Sequence, residues 1–170
     1  MLLKSLRMNK NRKKLKELKK GEMKYEIEHL IKDLKDHEKV REMKNFTQHG
    51  KISTFHHCYS VACASYKLNK KLHLHADKRA LMTGAMLHDF FLYDWHDKEN
   101  RPKGLHGYRH AKCAAKNARK YFDVDDKVNH IISTHMWPLN LTKLPRNREA
   151  WIVCLADKYV SAKETLFMRS

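Results

Sequence analysis

The sequence predicts an all-α fold, a compact bundle of about six helices with a basic N-terminal extension. Three observations lead there. Gly and Pro are scarce, 5 and 3 in 170 residues, so few positions break a helix. Stretches of Lys, Glu, Leu and Ala dominate, and these are strong helix formers. No run of alternating apolar residues marks a convincing strand. The length suits one domain with a real core.

The elements follow in order. Residues 1–20 carry nine Lys or Arg against Glu17. Beyond Asn9 they offer Leu15 and Leu18 and little else to bury, so they read as a basic, partly helical arm. The remaining domain, 21–170, starts with a helix from Glu22 to about Lys44, with Tyr25, Ile27, Leu30, Ile31 and Leu34 spaced for one face. Gln48-His49-Gly50 breaks it. Ser53 or Thr54 caps a second helix to about Leu68, and Asn69 to His75 is a linker. Asp77 caps a third helix ending near Asp89 or Phe90. Residues 91–107 form a long polar and aromatic loop, with Asn100, Pro102, Gly104 and Gly107 as breakers. A fourth helix covers about 108–121. A fifth runs from near Asp125 to about His135, before Pro138. The last covers roughly 147–167.

The formal net charge is +17, which points to an anionic partner such as a nucleotide, nucleic acid or phospholipid surface, and names no reaction. The four cysteines, Cys58, Cys63, Cys113 and Cys154, form no C-x-x-C pair and read as reduced, packed thiols. A cytoplasmic location is expected, with no disulfide framework, signal peptide or membrane span. The unusual number is 13 histidines, since imidazole is the commonest metal ligand and a frequent acid–base group.

These histidines are placed rather than scattered. His57, Val61, Ala64 and Leu68 share one helical face. Leu81, Gly84 and Ala85 lead to His88, with Asp89 beside it at the helix end. His110 shares a face with Ala114, Ala118 and Tyr121, and His106 lies one turn earlier. His135 follows Val128, Ile131 and Ile132, whereas His130 points off that stripe. Asp157 lies among Val153, Ala156 and Val160. Five helices thus each aim a histidine or aspartate inward. A single buried histidine is usually just a hydrogen-bonded core residue. A buried carboxylate needs a cation, and no Lys or Arg shares the stripe of Asp157. Inward imidazoles and carboxylates without thiolates suit iron, manganese, zinc, nickel or cobalt.

In this order the residues resemble the HD-domain superfamily of metal-dependent phosphohydrolases. His57-Cys58-Tyr59-Ser60-Val61-Ala62 resembles the helix of the first histidine, Leu87-His88-Asp89 the motif that names the family, and Leu155-Ala156-Asp157-Lys158 the last aspartate helix. The resemblance spans roughly residues 50–165. It implies an HD-domain-like bundle with one divalent metal on His57, His88, Asp89 and Asp157. Some members hold a second metal on two further histidines, a pattern that His110 and His135 fit, with Asp89 then bridging the two and orienting water; a one- or two-metal site is expected, with two preferred. His106 is an alternative to His110, and His130 to His135. Two departures matter. Leu92 stands where many members have a Lys, and the Gly-Tyr-Pro signature of cyclic-dinucleotide phosphodiesterases is missing.

The chemistry expected is hydrolysis of a phosphomonoester or phosphodiester, with a nucleotide as the expected substrate. Two metals about 3.5–4 Å apart lower the pKa of a bridging water and clamp phosphate oxygens. Arg109, Lys158, Arg101 and Lys103 are the candidate substrate-binding cations. The loop 91–107, with Asp94, Trp95 and His96, is a candidate cover. Two rival functions stand beside this one: a diiron oxygenase of the same superfamily, using the same ligand set, and a non-enzymatic nucleic-acid-binding protein acting through the basic arm, with the helical domain as scaffold.

Overall fold

A computed structural model describes residues 2–97, 99 and 102–167, with side-chain surroundings from Arg12 to Leu166 outside that gap. It is all-α apart from one small hairpin. The order is α1 (Leu2–Asp36), α2 (Glu38–Glu42), a 3-10 turn (Met43–Asn45), β1 (Thr47–His49), β2 (Ile52–Ser53), α3 (Thr54–Lys71), α4 (Lys78–Leu87), α5 (His106–Phe122), α6 (Asp126–Thr134) and α7 (Arg148–Phe167).

Capping chemistry sets most boundaries. Ser53 caps α3, its Oγ accepting from His56 N at 3.4 Å. Asp77 caps α4 through Ala80 N at 3.1 Å, and Asp125 caps α6 through Val128 N at 2.7 Å. Asn147 receives Ala150 N at 2.8 Å at the start of α7. Each side-chain oxygen satisfies an amide that has no partner within its helix. At the other end of α5, Asp123 adopts the left-handed conformation, φ 46°, and its N–H returns to Arg119 O at 3.1 Å. This terminates the helix.

The first helix differs from the expectation. It runs unbroken from Leu2 to Asp36, and the stretch up to Lys44 is finished by α2 and the 3-10 turn. Its C-terminal half docks through Ile27 and Ile31, both buried, while every residue from Arg12 to Glu22 is exposed. Docking offsets the cost of ordering the C-terminal half, and the Lys-, Glu- and Leu-rich sequence before it has high helix propensity, so the helix continues at little cost.

At the centre lies α4. Leu81, Met82, Ala85, Met86 and Leu87 are fully buried, and α4 packs against α1, α3, α5, α6 and α7. Gly84 lets α6 come close: a Cβ there would stand 2.5 Å from Ile131 Cγ2. The hairpin is antiparallel, with Thr47 opposite Ser53. It is fastened to the start of α3, where Thr54 N and Oγ1 both donate to Phe46 O, at 2.8 and 3.1 Å. Among the described residues no helix is long and apolar enough to cross a membrane, and the four cysteines are unpaired.

Candidate metal centre

Five elements converge on one buried cluster. His57 comes from the first turn of α3, and His88 and Asp89 from the C-terminal end of α4. His110 comes from α5, His135 from the end of α6, and Asp157 from the middle of α7. All six are buried. The turn after Asp89 is tied to α5 by Asn117 Nδ2, which donates to Phe90 O at 2.9 Å.

The tautomers follow from the partners. Nδ1 of His88, His110 and His135 lies 2.8, 2.9 and 2.8 Å from the carbonyls of Ala85, His106 and Ile132. A carbonyl only accepts, so each Nδ1 carries the hydrogen and a neutral ring turns a bare Nε2 inward. His110 Nε2 and His135 Nε2 then face each other at 3.0 Å. Two lone pairs at that distance require a proton or a cation between them. His88 Nε2 and Asp89 Oδ1 are buried with no hydrogen-bond partner among the described residues. Orphaned acceptors this deep are rare and need an explanation.

Asp89 divides the cluster. Its Oδ2 lies 3.4 Å from His88 Nε2 and 3.9 Å from His57 Nε2. Asp157 Oδ1 is on the same side, 3.1 Å from His57 Nε2 and 3.7 Å from His88 Nε2. The other oxygen, Oδ1, lies 3.3 Å from His110 Nε2 and 3.5 Å from His135 Nε2. One carboxylate thus faces two groups of donors. The triads His57–His88–Asp157 and His88–Asp89–His135 each bring their ligand atoms within 4.8 Å of one another.

The electrostatics ask for positive charge. Burial pulls His57 down, but hydrogen bonds to Asp157 and Glu164 outweigh it and hold the ring up at about 10. Burial likewise opposes ionisation of Asp89 and Asp157, yet the surrounding imidazoles hold both below the ordinary carboxylate range. Burial lowers His110. A divalent cation meets the same demand as these protons, and the donor set of imidazoles and carboxylates suits one. The residues therefore fit a metal.

A cavity of about 650 Å³ opens onto this cluster, reaching Asp89, His110, His135 and Asp157. Trp95, His106, Met136, Pro138 and Leu139 form much of its wall. Trp95 Nε1 donates to Thr47 O at 3.0 Å, joining the loop after Asp89 to the hairpin. That loop supplies the Trp95 wall, whereas Asp94 and His96 pair with each other in the open. His106 stacks on His110, 4.6 Å between centroids, and its Nδ1 meets Tyr93 Oη at 3.0 Å. His130 lies outside the cluster, its Nε2 accepting from Arg146 N at 3.0 Å.

Of the candidate cations, Lys158 lines the cavity. Its Nζ is steadied by His135 O at 3.0 Å and Cys154 Sγ at 3.4 Å. Arg109 and Lys103 are exposed, with the Arg109 guanidinium donating to Lys103 O. Arg101 lies outside the described residues.

Three neighbours escaped the sequence reading. Gln48 Nε2 donates to Asp89 Oδ2 at 2.6 Å. His49 lines the cavity, its ring edge-on to His57 at 5.6 Å. Glu164 Oε2 receives Nδ1 of His57 at 2.8 Å. Gln48 and His49 carried no signal beyond breaking a helix. Glu164 lies seven residues after Asp157 on the same helix, a spacing that puts both on one face and could have found it.

A family model described as HD domain matches residues 54–162. No curated protein and no solved structure matches the chain. The matched span covers more than half of the sequence and holds all six clustered residues, from His57 on α3 to Asp157 on α7. The chain belongs to the HD domain family, whose members are in general metal-dependent hydrolases.

Proposed function

We propose that this protein is a two-metal phosphohydrolase acting on a phosphomonoester or phosphodiester of nucleotide type. The observation that carries the reading is the division of Asp89, whose two oxygens face separate groups of imidazoles. In this reading His57, His88, Asp89 and Asp157 would hold one divalent ion, from among iron, manganese, zinc, nickel and cobalt. His110 and His135, sharing Asp89, would hold the other. Cations in such a centre supply Lewis acidity, neutralising phosphoryl oxygens and lowering the pKa of water.

The chain's own groups do the rest. Gln48 donates to Asp89 Oδ2 and fixes the plane of this carboxylate, which both ions would share. The carbonyls of Ala85, His106 and Ile132 hold three imidazoles in the ligating tautomer. Lys158 brings a positive charge to the cavity wall for a substrate anion. The cavity volume is in the range of small-molecule sites, and its Trp95, Met136, Pro138 and Leu139 wall suits the organic part of an ester.

Elemental analysis of protein purified without added metal tests this, in wild type and Asp89→Ala. About two equivalents in the wild type, both lost in the variant together with phosphoesterase activity, are expected. Metal that stays absent after reconstitution with each candidate ion overturns the reading. Iron together with substrate-dependent oxygen uptake assigns the protein instead to the oxygenases of the superfamily.

A second activity is compatible with the first. Residues 1–20 form the basic arm and 21–170 the HD-type domain in this proposal. The arm's exposed turns from Arg12 to Lys20 carry six Lys or Arg against one Glu, which favours non-specific contact with nucleic acid.

A further inference from the structure

Every imidazole of the cluster is gripped through Nδ1, but the partners are not alike. His88, His110 and His135 each use a carbonyl three or four residues earlier in the chain. His57 uses a carboxylate instead. Glu164 Oε2 stands 2.8 Å from His57 Nδ1, across 107 residues of sequence, and the Glu164 side chain is only 10% exposed.

The carboxylate arrives there for a geometric reason. Asp157, Ser161 and Glu164 recur at i, i+4 and i+7, one face of α7. Ser161 Oγ donates to Asp157 Oδ1 at 3.2 Å, and that same oxygen lies 3.1 Å from His57 Nε2. One helix face therefore meets both nitrogens of a single ring on α3. Ionised carboxylates accept and never donate, so without a metal both ring nitrogens donate, Nδ1 to Glu164 and Nε2 to Asp157; a cation at Nε2 would displace that hydrogen, while Glu164 keeps the other on Nδ1. A carboxylate is also a stronger acceptor than a peptide carbonyl, which makes the imidazole a better electron donor.

We propose that Glu164 is a positioning residue that holds His57 as a ligand, and that it tunes one metal position of the centre and not the other. The position affected is that of His57, His88 and Asp157. The position of His110 and His135, whose rings rest on carbonyls, is independent of it. This inference rests on the two-metal reading above.

Cobalt(II), followed by its visible absorption and by chelator competition, tests it in wild type, Glu164→Gln and Glu164→Ala. In Glu164→Ala both positions still fill at saturation, but one binds about 10- to 100-fold more weakly and the other is unchanged. Glu164→Gln restores most of that affinity, because the amide oxygen still accepts from Nδ1–H. A merely structural glutamate would lower the melting temperature of the metal-free protein without separating the two positions. Wild-type affinity at both positions in Glu164→Ala overturns the proposal. So does loss of a whole equivalent at saturating cobalt without rescue by Gln, since Glu164 would then be a ligand itself. Wild-type protein that takes up no cobalt overturns the metal reading, and this inference with it.

Discussion

At the scale of single residues, most members of the buried candidate cluster were legible because burying charge is costly. A carboxylate on an apolar helical face requires a cation, which singles out Asp157 without any structure. The same face-counting placed His57, His88, His110 and His135. It could not find Gln48, because a residue in a two- or three-residue strand has no periodicity to read. Nor does adjacency in sequence rank the candidate cations. Arg109 adjoins His110 and Lys158 adjoins Asp157, yet Lys158 lines the cavity while Arg109 is turned to Lys103 O in the open. Lys158→Met is therefore expected to lower kcat/KM for a phosphate ester by roughly 10- to 100-fold, the loss of one charged hydrogen bond. Most of the change should appear in KM. Metal content should stay at the wild-type value, which separates a missing anion partner from a disturbed His135 carbonyl. An unchanged kcat/KM would remove Lys158 from substrate binding.

At the scale of elements, helix starts were read well because Ser53, Asp77, Asp125 and Asn147 cap them by a local and recognisable chemistry. What escaped was how closely helices approach, which depends on the partner surface. Gly84 shows this. In sequence it is one member of an apolar stripe, but in space it is where α4 meets α6. A methyl group on Gly84 would sit 3.0 Å from Ile131 Cβ and closer still to Cγ2. Because a branched Cβ cannot rotate away, Gly84→Ala must push the helices apart. Overpacking of this kind costs about 1–3 kcal/mol, a fall in melting temperature of roughly 2–12 °C. It should also weaken metal binding, since α4 carries His88 and Asp89 at its end and α6 carries His135. The control is Gly21→Ala on the exposed part of α1, where nothing lies within 4 Å. That change should be neutral or stabilising by up to about 1 kcal/mol. Thermal melts of both variants, with and without metal, decide the matter; equal behaviour would mean that the α4–α6 contact yields freely.

At the scale of the whole molecule, charge and fold are distributed differently along the chain. The core begins to hold α1 near Met23, Ile27 and Ile31, and the converging helices of the centre all lie beyond that point. The densest positive charge lies before it, on turns with no buried residue from Arg12 to Glu22. Glu26 marks the boundary, paired with Lys78 of α4 and Lys70 of α3, with the Lys78 hydrogen bond foremost in holding its carboxyl down at about 2. Removing residues 2–20 should therefore leave folding and metal content intact, with a stability change within about 0.5 kcal/mol, as for exposed positions elsewhere. Anion binding should respond strongly. If the arm lies along nucleic acid, affinity for a labelled DNA duplex falls steeply with salt in the full chain. Each phosphate that the truncated chain no longer neutralises then flattens the slope of log K against log salt by about 0.9. Binding measured at several salt concentrations, beside phosphoesterase activity on a small ester, separates the two functions. A truncated protein with full activity and a flattened slope divides the molecule into a catalytic bundle and an electrostatic arm. An unchanged slope would move nucleic-acid binding to the bundle, whose own excess of Lys and Arg over Asp and Glu makes up the rest of the +17.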